Sequence, residues 1–428
     1  MSRNDAPSTP NDARHDALAG IRVLDLSRVL AGPWCTQNLA DLGADVIKIE
    51  KPGEGDDTRH WGPPYFPDAQ GRPTDQGCYF ASCNRNKRSV TVNIASQEGQ
   101  QIIRDLARES DILVENFKVG NLARYGLDYA SLAADNPRLI YCSITGFGQT
   151  GPFAGRAGYD LLIQAMSGMM SITGRGDDEP GGGPVRVGVA ITDLMSGMYA
   201  TIAILAALEM RHRTGRGQYI DTSLLDVGMA MLANQASGFL NTGEVPPRLG
   251  NVHMSLSPYQ DFPTADGRVL MGIANDGQFT RFCQAVGVDW MHDERFRSNA
   301  VRVENRPVLV ALMSELLRTR TTAEWVELFQ DKAVPCGPIN DIGTAFENRQ
   351  VHARGLRISQ ERYPDGAVPE GEIINEIVGV ASPLRLSDAP ARLRHAPPAL
   401  GQHTDEVLRE RLDLTPAALQ ALRARGVL

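Results

Sequence analysis

Two acidic residues stand where a carboxylate could do chemistry. Asp193 opens the run "DLMSGMYATIAILAALEMRHRTGRG", which carries no charge from Leu194 to Leu208. Asp160 stands between a glycine-bearing loop, "FAGRAGYD", and the apolar stretch "LLIQAMSGMM". A carboxylate at a helix start can cap the free backbone N–H groups, a contribution of about 1 kcal/mol. The positive helix end also favours its charged form. The same ionised group can attack an activated acyl carbon as a nucleophile. Position in the sequence leaves both uses open for both residues.

Other chemistries lack their residues. The chain holds no G-x-S-x-G elbow, no P-loop and no H-E-x-x-H. Its eight histidines are scattered. His212 lies in a basic helix end and His253 in "GNVHMSLSPY", and both read as structural or solvated. The six cysteines, Cys35, Cys78, Cys83, Cys142, Cys283 and Cys336, form no C-x-x-C pair and no zinc-spaced cluster with histidine. No metal is therefore expected, and the thiols read as reduced, in a cytoplasmic protein. A net charge of −8 argues against nucleic acid or an anionic membrane as partner. No stretch reaches the roughly 18 uninterrupted apolar residues of a membrane span. Residues 1–16 are polar, lack the apolar core of a secretory signal and read as a disordered tail.

The elements that must position these acids are of α/β type. "IRVLDLS" reads as a buried strand, "AGPWCTQNLADLGA" as a loop and a helix, and "DVIKIE" as a second strand. That is a β-α-β unit, the start of a parallel sheet. Its strand-to-helix turn, "SRVLAGPW", lacks the G-x-G-x-x-G that lets a pyrophosphate approach a helix end, which argues against NAD. A Pro/Gly-rich loop follows, and the alternation resumes through "VTVNI", "DILVENF" and "LIYCSITGFG". "GRGDDEPGGGPVRVG" reads as a flexible turn. Near residue 250 the texture changes to short strands, with the hairpin signal "TADGRVLMGI". The chain is expected to divide into a large domain over 17–235, a linker over 236–250, a small domain over 251–340, and a linker with return to the large domain over 341–428.

Taken in order, these motifs resemble the class III coenzyme A transferases, the group of formyl-CoA transferase and carnitine CoA-transferase. The matching features are "DLSRVLAGPWCTQNLADLGADVIKIEKPGEGDDTR", "NRNKRSVTVNI", "DILVENF", "GLDY", "ITGFGQTGP", "GYD", "DLMSGMYATIAILAALEMR" with "RTGRGQYID", and "GNVHMSLSPYQDFPTADG". They span about residues 18–425. The resemblance implies an open, Rossmann-like parallel sheet in a large α/β domain built from both chain ends. It also implies a smaller α+β domain and a homodimer whose two chains interlock.

Carried over by position, the family's catalytic aspartate falls on Asp193. The implied reaction is covalent: an aspartyl anhydride, then an aspartyl-CoA thioester, then passage of CoA to an acceptor acid. Acyl-CoA and carboxylic acid are the substrates, and coenzyme A is a co-substrate, with no tightly bound cofactor. The covering loop falls on "ANDGQ", where Gly277 and Gln278 would face the anhydride. With one glycine, this loop should be stiffer than in oxalate-type members. The implied CoA contacts are Leu30, Ala31, Lys51, Asn116, Arg124, Tyr159 and Asp160. Arg156 stands in for a basic residue that some members carry where this chain has Ala157. Trp61, Tyr79 and Asn275 would shape the acyl pocket. The related α-methylacyl-CoA racemases use a histidine where this chain has Tyr159, whose pKa near 10 suits proton transfer at neutral pH poorly. The "NDGQ" loop looks more like succinyl-CoA:glutarate or itaconate transferases, acting on C4–C5 dicarboxylates, than like the formyl-CoA:oxalate type.

Overall fold

A computed structural model describes residues 16–68, 70–369 and 372–428. The expected disordered tail, Asp16 apart, lies outside the described residues. The chain forms two compact units. The first takes the chain up to Ser167, Val187–Ala233 and Arg354–Leu428; the second takes Gly168–Arg186 and Asn234–Ala353.

The first unit is built on six parallel strands: β1 (Arg22–Asp25), β2 (Asp45–Glu50), β3 (Lys87–Thr91), β4 (Ile112–Glu115), β5 (Ile140–Thr145) and β6 (Tyr219–Ser223). Their order is β3-β2-β1-β4-β5-β6. Val23 pairs with Val46 on one side and Ile112 on the other, so the order reverses at β1. In such doubly wound sheets ligands bind outside the C-terminal strand ends at the reversal. The dinucleotide-type sheet is therefore present although the glycine fingerprint is not.

Parallel strands must be covered on both faces, and the period-2 pattern provides for that. Val23, Val46, Ile112 and Ile140 point to one face, where α1 (Ala31–Asp41) brings Cys35 and Leu39. Leu24, Ile47, Leu113 and Tyr141 point to the other, against Ile102, Ile103 and Leu106 of α2 (Gln97–Glu109). Val407, Leu408, Leu419 and Leu422 of the C-terminal helices join that second face, so both chain ends build one core.

Two further helices frame the acids. The apolar run after Tyr159 is split by Gly168, which takes φ +88°, into α3 (Asp160–Met166) and a short turn at Met169–Ile172. Next comes α4 (Ile191–Thr214), closed by Gly215 in the left-handed conformation, with Arg211, His212 and Arg213 in its last turn. It runs close to α1: a Cβ on Gly197 would lie 2.6 Å from the Ala31 carbonyl oxygen. Among the described residues α4 is the one helix long and apolar enough to cross a bilayer. Ala200, Ile204, Ala207 and Leu208 are instead spent on the core of the sheet.

The second unit holds the expected hairpin. β7 (Tyr259–Pro263) pairs antiparallel with β8 (Arg268–Gly272), and β9 (Cys336–Pro338) adds to β8. Phe262, Phe279, Phe282, Trp325 and Phe329 fill its core. This unit is wider than the expected 251–340. Segment 168–186, which overlaps the flexible turn expected over 174–188, is tied to it: Arg248 donates to the carbonyls of Arg175 and Ser171, both at 3.0 Å, and the Gly250 N–H to that of Gly174 at 2.8 Å.

Candidate active site

A cavity of about 530 Å³ opens at the C-terminal ends of β1, β4 and β5. Its walls are the turn Arg28–Ala31, the segment after β4 from Asn116 to Asn121, Ile144–Gly146, Arg156–Tyr159, Trp61 and Asp193. The sheet reversal thus collects Leu30, Ala31, Trp61, Asn116, Arg156, Tyr159 and Asp193 of the expected residues around one space.

Asp193 sits in the first turn of α4, and it is not the cap. The cap position belongs to Ala190, which offers no side chain to the helix. Asp160 serves instead, from α3: its Oδ1 accepts from the Thr192 N–H at 2.9 Å and the Thr192 hydroxyl at 2.7 Å. Asp160 Oδ2 accepts from Gln164 Nε2 at 2.7 Å, and Gln164 Oε1 accepts from the Val187 N–H at 2.9 Å. The capping and reactive uses therefore separate. Asp160 is 8 % exposed, with both oxygens engaged inside the protein. No hydrogen bond to the Asp193 carboxylate is found among the described residues. Burial, and then the charge of Asp160, push its pKa up to about 7. The helix end does not hold it at an ordinary aspartate value, as the sequence suggested.

The remaining expected residues divide. Tyr159 is 70 % exposed at the wall. Arg156 lies over the Phe153 ring at 4.1 Å. Trp61 meets Tyr79 edge to face at 5.5 Å, and burial, then the charge of Asp193, push the Tyr79 hydroxyl up to about 12. Lys51 pairs with Glu54 at 2.6 Å and lines an adjoining cavity of about 220 Å³, walled by Ile49, Val92, Ile94 and Phe117. Arg124 is exposed on the short turn Leu122–Tyr125 and lines neither cavity.

Asn275, Gly277 and Gln278 belong to the second unit. The expected stiff loop is a helix start there. Asn275 caps α5 (Asp276–Val286) by accepting the Gln278 N–H at 2.9 Å, and Gln278 Oε1 accepts the Ala274 N–H at 2.7 Å. Gln278 also lines a cavity of about 510 Å³ with Arg281, Gln330 and Cys336.

Sequence reasoning missed Arg28 and Lys118, which with Arg156 supply the cations of the large cavity. It also missed the buried charges behind the turn. Lys48 Nζ reaches Asp56 at 2.9 Å and the Ser27 carbonyl at 2.9 Å. Lys87 Nζ reaches Asp25 at 3.1 Å and Asn84 at 2.8 Å. Burial works to raise the Asp56 and Asp25 carboxyls, but Lys48 beside the first and Lys87 beside the second hold them below the usual range. "DDT" was the available signal: Asp56 caps Thr58 two residues on, at 3.0 Å. No cluster of metal-ligating side chains occurs among the described residues. What the cavity offers is a carboxylate without a hydrogen-bond partner among the described residues, in a cation-bearing pocket of cofactor size. That arrangement suits acyl exchange on an anionic ligand.

The chain belongs to CoA-transferase family III, whose model matches residues 18–404. It is an enzyme of acyl-CoA metabolism that transfers coenzyme A. The chain is 47 % identical over 398 residues to a succinate–glutarate CoA-transferase of Agrobacterium fabrum, covering 93 % of this chain and 96 % of that one. It is 41 % identical over 414 residues to the human succinyl-CoA:glutarate CoA-transferase, covering 96 % and 89 %. A crystal structure of a CaiB/BaiF family protein from Brucella suis superposes with a TM-score of 0.79 at 45 % identity, covering 92 % of this chain and 98 % of that one.

Proposed function

We propose that this enzyme moves coenzyme A from succinyl-CoA to a C4–C5 dicarboxylate such as glutarate or itaconate, with Asp193 as nucleophile. The observation that carries this reading is the Asp193 carboxylate in the wall of the large cavity, without a hydrogen-bond partner among the described residues. The names of the relatives support the acid pair.

An Asp193 oxygen attacks the thioester carbonyl of succinyl-CoA. The C–S bond breaks, giving a succinyl-aspartyl anhydride and CoA thiolate. The thiolate attacks the aspartyl carbonyl, the C–O bond breaks, and succinate leaves an aspartyl-CoA thioester. The acceptor carboxylate attacks that thioester and displaces the thiolate. The thiolate then takes the acceptor acyl group and frees Asp193. Each step exchanges a carboxylate with a thiolate, so no proton has to move at the nucleophile and no redox partner is consumed. Raised basicity makes Asp193 a stronger nucleophile than an ordinary aspartate. Arg28, Lys118 and Arg156 are placed to meet the phosphates of CoA. Trp61 and Tyr79 shape the acyl end. Two copies of the chain assemble as an interlocked dimer. Exposed apolar side chains such as Leu240 (77 %) and Ile342 (79 %) support that assembly.

Mass spectrometry of the enzyme mixed with succinyl-CoA alone tests the mechanism. A succinyl or CoA adduct on the peptide bearing Asp193 is expected. An adduct elsewhere, or none, refutes it. A panel of acceptor acids tests the substrate, and transfer confined to formyl-CoA and oxalate would overturn the dicarboxylate assignment.

A further inference from the structure

The turn between β1 and α1 carries a conformational outlier. Val29 has φ +71° and is the one β-branched residue with positive φ among the described residues. A β-branched side chain in the left-handed region costs roughly 1–3 kcal/mol and persists only where the surroundings over-determine it. Here side chains hold every backbone polar group from Ser27 to Val29. The Ser27 N–H donates to Asp25 at 2.9 Å, and its carbonyl accepts from Lys48 at 2.9 Å. Asn116 takes both groups of Arg28: Oδ1 accepts the N–H at 2.9 Å, and Nδ2 donates to the carbonyl at 2.7 Å. The Val29 N–H points between the two Asp56 oxygens, 3.2 Å from each, and the Val29 carbonyl lies 3.6 Å from Cys83 Sγ.

Asp56 and its partner Lys48 are buried, while Asn116 reaches across from the end of β4. The turn they hold contributes Arg28, Val29, Leu30 and Ala31 to the cavity wall. A glycine-rich fingerprint would let the backbone adopt such a turn unaided. This chain has none there.

We propose that Asn116 and Asp56 are positioning residues for the acyl-CoA, holding the Arg28–Ala31 turn in a binding conformation that Val29 opposes. They act through the backbone of the turn. The amide of Asn116, at a position where the family resemblance implied a CoA contact, has one hydrogen bond from each end committed to Arg28. The proposal rests on the reading of this cavity as the acyl-CoA site.

Substituting glycine for Val29 provides the test, because glycine adopts the left-handed turn without a clamp. Asn116→Ala, Val29→Gly and the double variant are compared for binding of coenzyme A by titration calorimetry, and for KM and kcat with succinyl-CoA. Asn116→Ala is expected to weaken CoA binding and raise KM by about tenfold, with kcat at saturation changed far less. In the Val29→Gly background the same substitution should cost less than about threefold. Equal losses in both backgrounds would make Asn116 a direct ligand contact and overturn the proposal. Unchanged binding in Asn116→Ala would overturn it as well. Calorimetry does not depend on turnover, so failure to find an adduct on Asp193 would refute the mechanism without touching this result. Wild-type enzyme that binds no coenzyme A would remove the reading of the cavity itself.

Discussion

Two carboxylates at the same edge of the sheet meet opposite fates. Asp56 is buried and saturated: it accepts from Lys48 and Val29, and from both the N–H and the hydroxyl of Thr58. Asp193 lines the cavity with no such partner, and its pKa rises to about 7 where that of Asp56 falls. Burial works in the same direction on both. Compensation decides, because a charge taken out of water is tolerated when paired and penalised when not. The first arrangement fixes a backbone. The second leaves a group with high chemical potential for reaction, at the cost of stability.

Breaking each carboxylate should therefore show in a different measurement. Asp193→Ala is expected to lower kcat on the order of a thousandfold or more, with CoA affinity nearly unchanged. A residual rate within tenfold of wild type would remove Asp193 from the role proposed. Asp56→Ala should act first on the fold. It strands Lys48 in a buried site and should cost roughly 3–5 kcal/mol in urea or thermal unfolding. A loss below about 1 kcal/mol would mean that water compensates Lys48, and the contrast with Asp193 would weaken.

The proton equilibrium gives a smaller effect on the same comparison. The proposed mechanism needs the carboxylate of Asp193, so under it lowering the pH should remove activity as the group is protonated. The acidic limb of kcat/KM should have an apparent pKa near the value of about 7, with a tenfold loss per pH unit below it. A limb near pH 4 would show that the Asp193 carboxylate is solvated or paired in the working enzyme.

How much of this was legible in the sequence follows the range of the interactions. The period-2 strands and the "TADG" hairpin are local signals, and both formed as read. The placing of Asp193 at the start of an apolar helix was legible for the same reason, although the helix begins two residues before it. Its state was not, because capping is settled between helices. Asp160 and Thr192 are 32 residues apart, and no local rule announces that Asp160 serves α4 rather than α3. The clamp on the Ser27–Val29 turn joins Asp25, Lys48, Asp56, Cys83 and Asn116, at sequence distances up to 88. Lys48 read as part of a strand, with no sign that its charge would be enclosed. The reach of the second unit was hidden likewise, since the segment 168–186 is tied by Arg248 and Gly250 from far along the chain.

The smallest effect is on stability, and its sign separates the two acids. The Asp193 pKa is about 7 in the folded chain, against 3.8 for an ordinary aspartate. Below pH 3.8 the group is protonated in both folded and unfolded states and costs nothing. As pH rises toward 7 the unfolded chain ionises first, so stability drains away, and above 7 the loss is complete. Asp193→Asn removes this titration. The variant should melt a few degrees above wild type at pH 8, on the order of 1–2 kcal/mol, and the difference should shrink steadily toward pH 4. The amide has polar demands of its own, which do not vary with pH, so the slope of the difference is the diagnostic quantity. Asp56 behaves in the opposite sense. Its lowered pKa contributes stability that is present above its unfolded value and lost as pH falls through the folded one, so substitutions there should hurt most at neutral pH. Calorimetric scans of both variants across that range would show curves of opposite sign at pH 8. Curves of the same sign would mean that Asp193, too, is paired in solution.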